Sequence, residues 1–576
     1  MALLSSRISL FVAWFTRYAP FVIVLAIGLA YARSIHVPFV FDDADAVQRN
    51  PTIRRLDTWA ILNPPADGST TTGRPVVNLS FALNYAVSGE AVWSYHALNL
   101  AIHAFAALAL LGLLRRTLIA LDPSAATYPS ALAGLVALLW ALHPLQTETV
   151  ICIAQRTESL CSLFYLITLY AFARACVEPN HHSRRWLVIC VAACLLGMAT
   201  KEVMVSAPLI VLLYDRTFLS RSFAAAWHRR QGFYVALAAT WILLVYLVLK
   251  NSGSRGIAAG FGLGVTPWTY LLKQVEALVL YLRLSIWPHP LVLDYGTALP
   301  SSPVDVGWQG LVVLSLLGGT IWALVRRPVL GFAGAWFFLI LAPSSSFIPL
   351  ITQTVAEHRM YLPLAAVIAG LGLGVVRRFG PQALWFLAVI IPVFAGATIA
   401  RVSDYRDAIT IWSVTTQHAP AQARVWTHLG AAYVAANRPS EALAPLDRAL
   451  GLNPTDHTAR RNRALALLAL GRADEAAVIF ETLPAREPGE AAEYFTLGNA
   501  FARDGKFPEA VAAYTRTVTL DSAHVAARAN LGNALLVCGR AREAIVAYEA
   551  ALRLNPADRR LLENLAIARE MAAARR

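Results

Sequence analysis

Two adjacent carboxylates, Asp42 and Asp43, sit in the segment VPFVFDDADAVQRNP just after the first long apolar stretch. Such a pair can act as a base, hold a cation or bracket a substrate hydroxyl; it can equally be a solvated acidic turn. Further along, YHALNLAIHAF places His96, Asn99 and His103 at i, i+3 and i+7, on one helical face. That face either turns polar groups into a site inside a helix bundle or forms an interhelical hydrogen-bond set. His143, before Pro144, is open to the same two readings. The segment HPLQTETVICIAQRTESL adds Glu148, Arg156 and Glu158. A guanidinium binds phosphate oxygens bidentately, or Arg156 pairs with one of the two glutamates to fix the fold. Lys201-Glu202 lies between two apolar runs with almost no loop, and AEHRMYLP contributes Glu357, His358, Arg359 and Tyr361. Cations gathered around an acidic pair suit the handling of a lipid-linked phosphate, with positive charge for the leaving phosphate and a carboxylate for an incoming hydroxyl.

The elements that must position these groups are membrane helices. The chain has 576 residues, 57% of them hydrophobic, above the roughly half expected of a soluble domain. The excess lies before Arg401, in runs long enough to span a bilayer. The expected spans are 11–32, 95–114, 128–142, 158–175, 186–200, 203–215, 233–250, 307–325, 330–347, 362–376 and 382–400, about eleven in all. The first is read as an uncleaved span, since no convincing cleavage site follows it. Arginine clusters follow alternate spans: Arg115-Arg116, Arg174 with Arg184-Arg185, Arg216 through Arg230, Arg326-Arg327 and Arg377-Arg378. The positive-inside rule puts them in the cytoplasm. The loops 33–94, 143–157, 251–306 and 348–361, the Lys201-Glu202 turn and everything after Arg401 then face outside, so the polar motifs share one side of the membrane. The apolar segment 268–287 is expected to be re-entrant or interfacial, because counting it as a span inverts the later clusters.

The net charge of +14 is carried almost entirely by arginine. The inter-span clusters account for it, and no nucleic-acid motif is present. The six cysteines show neither a disulfide framework nor metal-ligand spacing with histidine. The arginine- and alanine-rich composition points to a bacterial, GC-rich genome, and hence to an inner-membrane protein.

After Arg401 the chain becomes amphipathic and repetitive. Repeats begin at Ala423, His457, Ala491 and Val525, a constant spacing of 34 residues. The first shows Trp426, Leu429, Gly430, Tyr433, Ala442, Leu446 and Pro454; the third Tyr494, Leu497, Gly498, Phe501, Ala510 and Tyr514; the fourth Leu531, Gly532, Leu535, Ala544, Tyr548 and Pro556. This is the tetratricopeptide pattern. The second repeat is degenerate, with Ala464 and Leu467 at signature positions, but Ala476, Phe480 and Pro488 keep the phase. The expected architecture is therefore all-α: a polytopic bundle over 1–400, a linker over 401–422, and a solenoid over 423–576. The solenoid's repeats are 423–456, 457–490, 491–524 and 525–558, with a capping helix over 559–574. Such arrays present a groove to protein or peptide partners, or act as spacers.

The ordered series FDDADAVQRN, GRPVVNLSFALN, YHALNLAIH, HPLQTETV with QRTESL, KE and EHRMYLP, followed by tetratricopeptide repeats, resembles the transmembrane and TPR-containing protein O-mannosyltransferases and their bacterial relatives. That family is similar to the GT-C glycosyltransferases. The resemblance implies a GT-C-like bundle with an active site on the periplasmic or luminal side, a polyprenyl-phosphate sugar donor, mannose as the typical sugar, and a protein Ser/Thr hydroxyl as acceptor. It matches the family's catalytic acidic position to Asp42-Asp43, with one of the two as base. It implies that basic residues of the outer loops, here Arg74, Arg156, Lys201 and Arg359, hold the donor phosphate. The remaining site candidates are His96, Asn99, His103, His143, Glu148, Glu202, Glu357, His358 and Tyr361. No cofactor is required by this chemistry, and Asp43, Glu148 or the histidines leave room for a divalent metal. Two other readings fit the same sequence: a non-enzymatic, membrane-anchored repeat scaffold, and a GT-C transferase acting on a glycan or lipid A.

Overall fold

The computed structural model describes residues 2–121, 127–177, 180–251, 264–350, 353–483 and 490–574. These residues form helices joined by turns, with no β-strand. The chain divides into two compact units, Met1–His418 and Ala419–Arg576.

Among the described residues of the first unit, five helices are long and apolar enough to cross a membrane: Val12–Ala30, Trp93–Leu121, Phe223–Lys250, Pro303–Arg326 and Ala383–Asp404. A sixth is reached if Tyr128–Ala141 and Pro144–Ile151, bent by 54° across His143-Pro144, form one span. Proline lacks the N–H that would continue the helix, so the break falls there. The other segments expected to span are also helical, as Arg156–Ala175, Asn180–Met198, Ala207–Tyr214, Pro328–Leu341 and Leu364–Phe379. They are shorter or more polar than the five. The Pro267–Ile286 helix buries Tyr270, Gln274, Tyr281 and Ser285. Its Gln274 donates to the Thr354 carbonyl at 2.9 Å, and the Tyr281 hydroxyl accepts from the Ala356 N–H at 3.0 Å. This helix therefore braces the EHRM segment.

The loop between the first two spans is folded rather than slack. Asn50 caps the turn Pro51–Ile53, accepting from the Thr52 N–H at 3.0 Å. Buried Asn78, on the Pro75–Ser88 helix, accepts from Asn50 and donates to Thr52 and to the Ile61 carbonyl, each at 2.9 Å. Ile53, Ile61, Val77, Phe81 and Tyr95 complete a small apolar core beneath it. Part of the 401–422 segment, expected to be a linker, is ordered as the Ala408–His418 helix. Its Trp412 packs edge-on against Phe41 with ring centroids 5.7 Å apart.

In the second unit, helix pairs begin at Ala423, His457, Glu490 and Val525, and Arg559–Ala574 follows as a further helix. The expected pattern has a steric basis. A Cβ at Gly498 would lie 2.6 Å from the Tyr514 ring, and one at Gly532 would lie 2.5 Å from Tyr548. Gly430 meets Leu446 in the same way. In these three pairs the two helices approach so closely that only glycine fits opposite the large residue. The degenerate repeat has Ala464 and Phe480 at these positions, both buried. Pro488 lies outside the described residues.

Candidate functional site

The geometry of the site starts at Phe41, which adopts a positive φ of 53°. A non-glycine residue there carries strain of about 1–3 kcal/mol, and such strain gathers at functional sites. The turn sends the two carboxylates in different directions. Asp43 is fully buried; its Oδ2 accepts from the Val40 N–H at 3.0 Å and its Oδ1 from the Ala154 N–H at 2.7 Å. Burial pushes its pKa up to about 7, against those two hydrogen bonds. Asp43 thus pins the loop to the Cys152–Arg156 turn. Asp42 is partly exposed and lines a cavity of about 730 Å³.

Arg74, Lys201, Glu202, His358 and Arg359 line the same cavity. Arg74, at the start of the Pro75–Ser88 helix, donates to the Thr70 carbonyl at 2.8 Å and pairs with Glu202 at 3.2 Å. Lys201 is ion-paired with buried Glu158. Arg359 donates to the carbonyls of Thr354, at 3.0 Å, and of Gln353. Each cation is therefore anchored by the protein while contributing to the cavity wall. Buried positive charge of this kind is attractive to an anion because little water is present to screen it. The rest of the wall includes apolar Val203, Leu244, Leu247 and Ile348 and polar Asp45, Asp67, Gln155 and Thr157.

The remaining sequence candidates lie in the packing around the cavity. Arg156 is fully buried and donates to Asn99 (2.7 Å), Asn84 (2.6 Å), Ser80 (3.1 Å) and the Tyr95 carbonyl (2.9 Å). Its guanidinium stacks over Phe81 at 4.7 Å. His96 bonds the Val37 carbonyl at 2.8 Å, and Asn99 donates to the Val150 carbonyl at 3.2 Å. His103 contacts the Tyr361 hydroxyl at 2.7 Å and the Ala141 carbonyl at 3.0 Å. The polar face of the Trp93–Leu121 helix is therefore an interhelical hydrogen-bond set. His143 accepts from the Leu145 N–H at 3.2 Å and reaches the Ser285 carbonyl at 3.2 Å. Glu148 accepts from His358 twice, from the backbone N–H at 3.0 Å and from Nδ1 at 2.8 Å. Glu357 accepts from the Tyr295 hydroxyl at 2.8 Å and from the Val292 N–H, and burial raises its pKa. Among the described residues, no group of three or more His, Cys, Asp or Glu side chains gathers as metal ligands.

Tetratricopeptide-repeat family models match residues 433–499, and 400–457 with 495–559. The chain is 34% identical over 171 residues to protein O-mannosyl-transferase TMTC2 of Mus musculus, covering 28% of this chain and 19% of the relative. It is 28% identical over 323 residues to protein O-mannosyl-transferase Tmtc2 of Drosophila melanogaster, covering 52% and 33%. With protein O-mannosyl-transferase TMTC4 of Mus musculus it shares 23% identity over 475 residues, 71% of this chain and 64% of the relative. Its similarity is to TMTC-type proteins, and its C-terminal part contains tetratricopeptide repeats. Each match covers less than two thirds of the relative's own length. Among solved structures, the chain overlaps the tetratricopeptide protein YrrB at 20% identity, covering 28% of this chain and 83% of YrrB with a TM-score of 0.25.

Several wall residues escaped the sequence reading. Asp67 begins the DGST turn, where its Oδ1 accepts from the Ser69 N–H at 2.9 Å; an acidic turn in the same loop as Asp42 was the available signal. Outside the wall, Glu158 was read, but its pairing with Lys201, 43 positions away, was not, a separation no local pattern exposes.

Proposed function

We propose that the chain is a membrane glycosyltransferase that moves a sugar from a polyprenyl-phosphate donor to Ser/Thr hydroxyls of protein on the extracytoplasmic side. The observation that carries this reading is the cavity whose wall holds Asp42 together with Arg74, Lys201 and Arg359. The names of the related proteins support it, and mannose is the sugar they suggest.

In this mechanism the acceptor hydroxyl attacks the anomeric carbon from the face opposite the phosphate. A bond forms from the acceptor oxygen to that carbon as the bond to the phosphate oxygen breaks, and the configuration inverts. Asp42 orients the hydroxyl and takes its proton. Arg74, Lys201 and Arg359 stabilise the charge that develops on the leaving phosphate. Asp43 and Arg156 hold the loops that carry Asp42 and Arg74. The repeats recruit the protein acceptor, a role tetratricopeptide arrays suit, and the protein sits in a bacterial inner membrane with its repeats in the periplasm.

Transfer from radiolabelled polyprenyl-phosphate mannose in isolated membranes tests the reading. Label is expected in protein; label in glycan or lipid would replace the acceptor. Reporter fusions in the 33–94 loop are expected to report an extracytoplasmic position, and a cytoplasmic one would overturn the proposal.

A further inference from the structure

His358 lines the cavity, yet it is held from behind. Both its backbone N–H and its Nδ1 meet the carboxylate of Glu148, at 3.0 and 2.8 Å. The carboxylate accepts, so Nδ1 carries the proton in the neutral ring and Nε2 carries the lone pair. Nε2 makes no hydrogen bond among the described residues. Three cavity cations, Lys201, Arg359 and Arg74, act on the ring electrostatically, opposed by Glu158. Glu148 itself lies within the field of Arg401. The ring thus shares the cavity wall with three cations.

We infer that His358 is a phosphate-binding residue whose Nε2, protonated when a dianionic phosphate monoester occupies the cavity, donates a hydrogen bond to a phosphate oxygen. This rests on the lipid-phosphate reading above and assigns the group that distinguishes product from donor. The donor is a diester with one negative charge; the lipid monophosphate released from it carries a second. Transfer breaks the bond between anomeric carbon and phosphate oxygen, and the electron pair stays with the phosphate. The acceptor's proton leaves on Asp42, and His358 takes a separate proton from solvent. The imidazolium so formed is neutralised by Glu148, whose Oε1 already holds the ring at Nδ1 and whose Oε2 holds the backbone N–H. In the empty cavity, burial and the neighbouring cations keep the ring neutral, its pKa well below the ordinary value.

The test uses the full-length protein in detergent and farnesyl monophosphate as probe, at about pH 8, where the monoester is a dianion. Calorimetric titration in two buffers of different ionisation enthalpy counts the protons taken up on binding. The wild type is expected to take up close to one proton. His358→Gln is expected to lose that uptake and to bind roughly ten- to hundredfold more weakly, the range for one charge-assisted hydrogen bond. Its thermal melt in the absence of probe serves as the folding control. Glu148→Gln, which keeps an acceptor for the ring but removes the charge, is expected to reduce the uptake while retaining binding. Wild-type binding with an unchanged affinity and proton count in His358→Gln would overturn the role of His358 alone. Failure of the wild type to bind the monophosphate would overturn both that role and the lipid-phosphate reading.

Discussion

Arg156 was a candidate for the donor phosphate, and its surroundings make a different role quantitative. Replacing it with methionine keeps the bulk but strips the donors from three buried acceptors: the side-chain oxygens of Asn99 and Asn84 and the Tyr95 carbonyl. Each abandoned acceptor costs about 1–3 kcal/mol, so the loss is about 3–9 kcal/mol in total. Packing of the methionine side chain returns about 1.5–3 kcal/mol. The net loss is about 4 kcal/mol at the middle of these ranges, against an overall stability of about 5–15 kcal/mol for a typical domain. At about 2 °C per kcal/mol for a large unit, Arg156→Met should melt about 5 °C or more below wild type in detergent and be recovered in lower yield. A phosphate ligand would behave otherwise. A variant with an unchanged melt and yield, and a raised KM for the lipid donor, would refute the structural assignment.

Other consequences concern the turn and the repeats. Asp43 has a folded pKa of about 7 against an ordinary 3.8, so between these values the folded protein keeps a proton that the unfolded chain has lost. Stability from this group is complete below about pH 4 and is lost as pH rises toward 7; the wild-type melting temperature should fall across that window more steeply than that of Asp43→Asn. Gly532→Ala should lower the stability of the repeat unit by up to about 2 kcal/mol, since overpacking against Tyr548 outweighs the helix-propensity gain. Gly451→Ala, where a Cβ meets nothing within 4 Å, should raise it by up to about 1 kcal/mol. Circular dichroism melts of the two variants check the contrast, and equal effects would contradict the close-approach account.

The repeats were legible because their signal is local and periodic: Gly498 and Tyr514 lie in one helix pair, and the pattern returns every 34 residues. The apolar helices were legible for the same reason, although length and hydropathy together distinguish five strong candidates among the described residues from shorter or more polar helices. The site was half legible. Residue type and charge pointed to Asp42, Lys201 and Arg359, and the family resemblance to Arg74, all of which line one cavity. Adjacent Asp42 and Asp43 could not be ranked from sequence, because their separation depends on the positive φ of Phe41. A Phe gives no hint of such a conformation. The one-sided polar face of His96, Asn99 and His103 was visible, but its partners at Val37, Arg156 and Tyr361 come from distant elements. The bracing of the EHRM segment by the Pro267–Ile286 helix was equally hidden, since Gln274 and Thr354 are 80 positions apart.

The division of labour between the two neighbouring carboxylates is the sharpest point of contact with experiment. Sugar transfer to protein should be measured in membranes carrying wild type, Asp42→Asn or Asp43→Asn at matched folded protein. The account predicts that Asp42→Asn loses roughly 10²–10⁴-fold in rate, the contribution of a positioned general base, with an unchanged melt, whereas Asp43→Asn keeps most of its activity per folded molecule. Full activity in Asp42→Asn would contradict the account.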